Sequence, residues 1–163
     1  MHELHQDILI RDWQPDDRQR VSQLVRDAFG EFGLAFEPDG ADYDAIRVEE
    51  AYWKTGGEFW VVEQAGRLVG CGGYHPCHRG ERAVELRKMV LSPGARGRGL
   101  GRTLLQMLES AAAQRGFLEV WLETATVLQQ AIALYESSGY SLTTGVETTR
   151  CDRVYVKPLC QKI

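Results

Sequence analysis

The 163-residue chain predicts a mixed α/β (α+β) fold in which strands and helices interleave along one domain. Three features support that reading. Runs that alternate every two residues are interleaved with runs of helical period. Two strand-like runs meet at Ala65-Gly66, a hairpin signal. A glycine-rich loop, Arg96-Gly97-Arg98-Gly99-Leu100-Gly101, joins an apolar strand-like run to a helix-like one.

Residues 8–12 read as the opening strand. Residues 15–29 read as a helix, because Pro15 suits a first helical turn and Val21, Leu24, Val25, Ala28 and Phe29 form an apolar stripe. Residues 32–39 read as a loop and 43–53 as a second, weaker helix. That region is acidic, with Glu37, Asp39, Asp42, Asp44, Glu49 and Glu50; it reads first as a solvated helix face and second as an attraction for an amine. Residues 58–64 and 67–74 are the hairpin strands, and 82–91 the next strand. In the latter, Val84 and Leu86 alternate with Glu85 and Arg87, but Met89 and Leu91 fall on the opposite parity. One extra residue, a β-bulge near Arg87 to Met89, produces that shift and leaves backbone groups that a ligand amide can use.

A helix follows over 99–115, with Leu100, Leu104, Leu108 and Ala111 along one face. Residues 117–123 read as a strand and 127–138 as a helix, with Thr126 and Gln129 as a capping box and Gly139 as the terminator. Residues 140–144 and 150–157 form a closing pair of strands.

The glycine loop carries most of the chemistry. Three glycines in six residues admit a ligand close to the backbone. The helix behind them presents first-turn N–H groups with partial positive charge. Together these make an anion cradle suited to phosphate or pyrophosphate. The spacing G-x-G-x-G departs from the dinucleotide fingerprint, and Arg102-Thr103 stands where a Walker loop needs Lys-Ser/Thr.

The motif Arg-x-x-Gly-x-Gly at 96–101, with Pro93 upstream, resembles the acetyl-CoA-binding loop of the GNAT family of N-acetyltransferases. Ala131-Ile132-Ala133-Leu134-Tyr135-Glu136-Ser137-Ser138-Gly139-Tyr140 resembles the second signature of that family, A-x-x-L-Y-x-x-x-G-Y/F. The order of elements agrees across a single domain, 1–163, with a core of about 7–158. The resemblance implies the GNAT fold, a central mixed β-sheet with a splayed, bulged strand flanked by helices. It implies acetyl-CoA as cosubstrate, its phosphates held by Arg96, Gly97, Arg98, Gly99, Leu100, Gly101, Arg102 and Thr103. The pantetheine arm would pair with backbone at Met89, Val90 and Leu91, and Tyr135 would protonate the departing thiolate. Many members carry asparagine seven residues before that tyrosine, where this chain has Leu128, so contacts from that turn are left open.

Glu85 is the first choice of base, because it projects from the central strand just before the bulge; its other reading is a salt bridge to Arg87. Arg87 is a candidate clamp for a substrate carboxylate, and His75 or His78 a candidate for the substrate mouth. Cys71, His75, Cys77 and His78 cluster locally, but zinc needs ligand pairs from two segments, so no metal is expected. The four cysteines read as reduced residues of a cytoplasmic protein, none of them placed for a covalent acetyl-enzyme.

A net charge of −4 argues against nucleic acid or an anionic membrane as partner. No apolar run approaches membrane-spanning length, and no basic-plus-apolar leader opens the sequence. The expected partners are acetyl-CoA and an amine, with monomer and homodimer both open. The expected activity is acetyl transfer to a primary amine, small or amino-acid-like, by direct attack in a ternary complex. Two alternatives stand beside it: a protein N-terminus or lysine as acceptor, and a noncatalytic acyl-CoA-binding or sensor domain.

Overall fold

Among the described residues eight strands form one sheet in the order β1-β2-β3-β4-β5-β6-β8-β7, and helices cover both of its faces. The computed structural model describes residues 3–5 and 7–160. The strands are β1 (Glu3–His5), β2 (Ile8–Asp12), β3 (Glu58–Gln64), β4 (Arg67–Cys77), β5 (Ala83–Leu91), β6 (Glu119–Thr124), β7 (Ser141–Thr143) and β8 (Arg153–Pro158). The helices are α1 (Arg18–Gly30), α2 (Tyr43–Ile46), α3 (Leu100–Gln114) and α4 (Gln129–Ser137). No helix among the described residues is long and apolar enough to cross a membrane.

Every neighbouring pair of strands is antiparallel except β5–β6, so the sheet is mixed. β3 shows why the sheet has two cores. Trp60 and Val62 point to one face with Tyr74, Val84 and Leu86, and pack on Leu104, Leu105 and Leu108 of α3. Phe59 and Val61 point to the other with Cys71 and Val90, and pack on Trp13, Val21, Val25 and Tyr52. A strand buried on both faces reads as a continuous apolar run, as Phe59 to Val62 does.

Four expectations are revised. β1 precedes the strand expected to open the fold, and β4 runs three residues past residue 74. The helix expected over 43–53 is broken into α2 and a π-helical turn, Glu49–Trp53, with Arg47 between them in a non-helical conformation. The Thr126–Gln129 capping box does not form. Asp152 takes both the Thr126 N–H, at 2.8 Å, and its hydroxyl, at 2.7 Å, and α4 begins after Leu128. Gly139 ends α4 as expected, at φ 92°.

The bulge is where the sequence places it. Cys71 pairs with Val90 and Gly73 with Arg87, so two steps on β4 face three on β5. Lys88 takes up the extra residue at φ 54°, a left-handed conformation costly for a side chain that has a Cβ. Gly73 meets this point with no room for a side chain, since a Cβ there would stand 2.6 Å from the Phe59 ring. As a result Arg87, Lys88 and Val90 serve the α1–α2 face, while Leu86, Met89 and Leu91 serve the α3–α4 face.

The acidic segment is a solvated face only in part: Asp39 and Glu50 are exposed, but Asp42 and Asp44 are buried. Asp42 is fully buried and takes a fork from Arg150 at 2.5 and 2.6 Å, and Lys88 Nζ at 3.2 Å. Asp44 meets Lys88 Nζ at 2.9 Å and Arg87 Nε at 3.5 Å, and accepts the hydroxyl of Tyr52. Ala41 O accepts from both Arg87 Nη2 and Lys88 Nζ. Burial alone would raise the Asp42 carboxyl, but Arg150 and Lys88 outweigh it and hold it below the usual carboxylate range. A depressed folded-state value means stability that is present above the unfolded pKa, about 4, and lost as pH falls through the folded one. Asp42→Ala should therefore cost roughly 3–5 kcal/mol in urea unfolding, because two cations lose their buried counterion. Asp42→Asn should also flatten the fall of stability below about pH 4. Wild-type stability and pH slope in both variants would show that this carboxylate does not hold the segment together.

Candidate active site

Strands β5 and β6 pair only over Ala83–Glu119, Val84–Val120 and Glu85–Trp121. Beyond Glu85 they diverge, and the edge of β5 from Leu86 to Leu91 is left without a strand partner among the described residues. The gap opens through the sheet, so residues from both faces meet in it. A cleft of about 290 Å³ is walled by Ala28, Phe29 and Phe32 from one face and by Leu134 and Tyr135 from the other. Met89, Val90 and Leu91 form its floor, and Gly97, Gly99 and Gly101 its far end.

At that end Gly99 caps α3 in a left-handed conformation, φ 77°, where a side chain would be strained. Nothing lies within 4 Å of the position a Cβ would take at Gly97 or Gly99, so the loop fronts open space. The first backbone bond of α3 runs from Thr103 N to Gly99 O, 3.1 Å, which leaves the N–H groups of Leu100, Gly101 and Arg102 without helical acceptors.

The arginines divide by role. Arg96 lines the cleft but is committed to protein. Its Nε donates to Leu91 O at 3.0 Å, and its fork grips Glu31 at 2.8 and 3.2 Å, tying the loop to the end of α1. Arg102 lines the cleft and reaches Ser137 and Ser138 at 2.8 and 3.2 Å. Arg98 stands outside it, donating to Gln64 Oε1 at 3.2 Å. Leu100 turns into the core, and Thr103 returns its hydroxyl to Gly99 O, so each offers the loop its backbone rather than its side chain.

The cleft continues into a smaller chamber of about 100 Å³ that shares Met89, Val90, Leu128 and Tyr135 with it and adds Glu85, Glu123 and Cys151. Tyr135 belongs to both spaces, in edge contact with Tyr140 at 5.7 Å. Burial, with a smaller contribution from Cys151, pushes its phenol well above the ordinary tyrosine range, so the hydroxyl is protonated at neutral pH. Glu85 is buried on the α1–α2 face, two residues before Arg87. The alternative reading of Glu85, a salt bridge with Arg87, is not formed; Arg87 turns instead to Asp44 and Ala41 O.

His75 stands opposite Glu85 across β4–β5. Its Nδ1 donates to Pro76 O at 2.9 Å, which leaves the lone pair on Nε2. Together with Arg87 it lines an outer mouth whose rim includes Glu37, Thr148 and Thr149. His78 is exposed and lines none of these spaces.

Three chamber residues were not expected from sequence. Glu123 accepts the Glu147 and Thr148 N–H groups at 2.7 and 3.1 Å and pairs with Arg79 at 3.0 Å, which fixes the loop over the chamber. Arg150 and Cys151 follow in the irregular stretch before β8, where no periodicity announces a role. Burial, then Glu123, raises the Cys151 thiol.

The model of the acetyltransferase (GNAT) family matches residues 8–140. The chain belongs to the GNAT family of acetyltransferases. A relative in Escherichia coli K12, described as the uncharacterized N-acetyltransferase YjgM, is 35% identical over 127 residues, 76% of each chain. Relatives such as N-acetyltransferase 8 of Rattus norvegicus match over 61% of this chain, and the chain covers 47% of their length. Among solved structures, a GNAT acetyltransferase of Staphylococcus aureus Mu50 superposes with a TM-score of 0.87 at 19% identity, covering 94% of this chain and 99% of that one. The yncA protein of Salmonella typhimurium, solved with acetyl-CoA, gives 0.75 at 21% identity and 96% of both chains. In this GNAT acetyltransferase the bulged β5, the glycine loop and the Tyr135 helix therefore sit within a shared fold.

Proposed function

We propose that the protein transfers the acetyl group of acetyl-CoA to a primary amine by direct attack, with both substrates bound together. The observation that carries this reading is the unpaired edge of β5 after Glu85, facing a cleft that ends in the glycine loop and is overlooked by Tyr135. That edge offers backbone pairing to an extended amide-bearing arm. The loop offers N–H groups and space to a pyrophosphate, and Phe29, Phe32 and Leu134 offer apolar walls to the chain between them. The acetyl-CoA seen in the Salmonella neighbour supports the same assignment.

Acetyl-CoA supplies a thioester carbonyl, at which an amine forms the new C–N bond while the C–S bond breaks. Two protons must then move. The Glu85 carboxyl group accepts the one leaving the amine nitrogen. Tyr135 Oη donates the one required by the departing sulfur, and its burial keeps that proton in place until the thiolate forms. N–H groups of the bulged strand polarise the carbonyl from the open edge. Cys151 lies in the chamber, but a thiol raised by burial is a poor nucleophile, which favours direct attack over an acetyl-enzyme.

Thiol release from acetyl-CoA, measured over an amine panel with both substrates varied, is the direct test. Intersecting double-reciprocal lines are expected. Parallel lines would indicate an acetyl-enzyme, and absence of release with every amine would leave a binding domain.

Tyr135→Phe should preserve fold and acetyl-CoA affinity while lowering kcat ~10²–10⁴-fold, the usual worth of a general acid. An unchanged kcat, with chemistry shown to limit the rate, would leave Tyr135 a packing residue. Glu85→Gln should depress kcat/KM most near neutral pH, where little amine is free, and least at high pH, where solvent has already removed the proton. Superimposable pH profiles for the two proteins would move the base role to water or to His75 Nε2.

A further inference from the structure

We propose that Arg87 forms a carboxylate subsite beside Glu85, and that the accepted amine is a small zwitterion with its amine and carboxylate on neighbouring atoms, of the α-amino-acid class. This rests on the acetyl-transfer reading above and names the acceptor that it leaves open.

The buried network holds three cations, Arg87, Lys88 and Arg150, against two carboxylates, Asp42 and Asp44. Within this network of direct contacts one positive charge is in surplus, and Glu85 and Glu123 act on Arg87 only through space. Lys88, with its side chain 3% exposed, is enclosed by Asp42, Asp44 and Ala41 O. The fork of Arg150, 14% exposed, is spent on Asp42, with Ala35 O accepting as well. Arg87 is the most exposed of the three at 23%, and it lines both the chamber and the outer mouth. Its Nε and Nη2 are anchored on Asp44 and Ala41 O, while Nη1 has no hydrogen-bond partner among the described residues.

Glu85 supplies the complementary negative charge. It stands two residues earlier on the same strand face, and its carboxyl group has no ion-pair or hydrogen-bond partner among the described residues. Glu123, the other carboxylate of the chamber, is already matched by Arg79 and by loop N–H groups. Residues i and i+2 of a strand are rooted about 7 Å apart. An α-amino acid spans that interval with one hydrogen bond of about 2.8 Å at each end. The amine then meets Glu85 in the chamber that Tyr135 also lines, and the carboxylate meets the anchored guanidinium that also lines the mouth. A protein lysine has no carboxylate at that distance from its amine, and so leaves Arg87 unmatched.

The test compares matched triplets: several α-amino acids, their carboxamides and the corresponding decarboxylated amines, each assayed for thiol release from acetyl-CoA. Wild type should prefer the acid over its amide by roughly tenfold to a hundredfold in kcat/KM, as expected for a charged hydrogen bond. Arg87→Gln should erase that preference, and Arg87→Lys should keep part of it. Equal use of acid and amide by wild type, or a preference that survives Arg87→Gln, overturns the subsite; the wild-type ratio decides even if the variant fails to fold. If no amine releases thiol, acetyl transfer is what has failed. Calorimetric titration of the same acids and amides into wild-type protein with CoA added then judges the subsite: tighter binding of the acids supports it, and equal or absent binding overturns it.

Discussion

One extra residue in β5 organises this molecule, and a buried set of charges holds it there. Lys88 sits at φ 54°, a conformation worth about 1–2 kcal/mol of strain for an ordinary residue. Its ammonium group is fixed between Asp42, Asp44 and Ala41 O. Because of that residue, Arg87 and Lys88 point the same way, and Met89 and Leu91 point the other. Up to Glu85, three residues before it, β5 is paired with β6. Beyond Glu85 the strand leaves its neighbour, and both the cleft and the chamber occupy the gap.

The same charges join three segments that are distant along the chain. Asp42 and Asp44 come from the irregular region around α2, Arg87 and Lys88 from the bulge, and Arg150 from the stretch before β8. Removing one member would not merely lose a pair; it would strand the others in a site with little water to replace the partner. The Arg87 side of the chamber and the Met89–Leu91 floor of the cleft therefore meet at Lys88, the residue that sets the path of the strand.

Local signals made the central elements legible in the sequence. The parity change from Leu86 to Met89 located the bulge, the glycine spacing located the loop that closes the cleft, and the position of Tyr135 among Ala131 and Leu134 placed it on the helical face that lines the cleft. Where partners are remote, the sequence was silent or misleading. Asp42 and Asp44 looked like part of a solvated face because their counterions come from remote segments, Arg87 and Lys88 from β5 and Arg150 from 108 residues beyond Asp42. The Thr126 cap was lost to Asp152, 26 residues on. Cys151 enters the chamber from a segment without period, so neither strand nor helix reasoning could place it.

In the proposed reaction acetyl-CoA pairs with the edge of β5 left unpaired beyond Glu85. Amide hydrogen exchange across Leu86–Leu91 tests this most directly, with the protein free and then saturated with acetyl-CoA. Amides of this segment facing the gap should exchange readily in the free protein and become protected on binding, while the β4-bonded amides of the same strand are protected in both states. Unchanged exchange across the segment, under conditions where acetyl-CoA demonstrably binds, would contradict it.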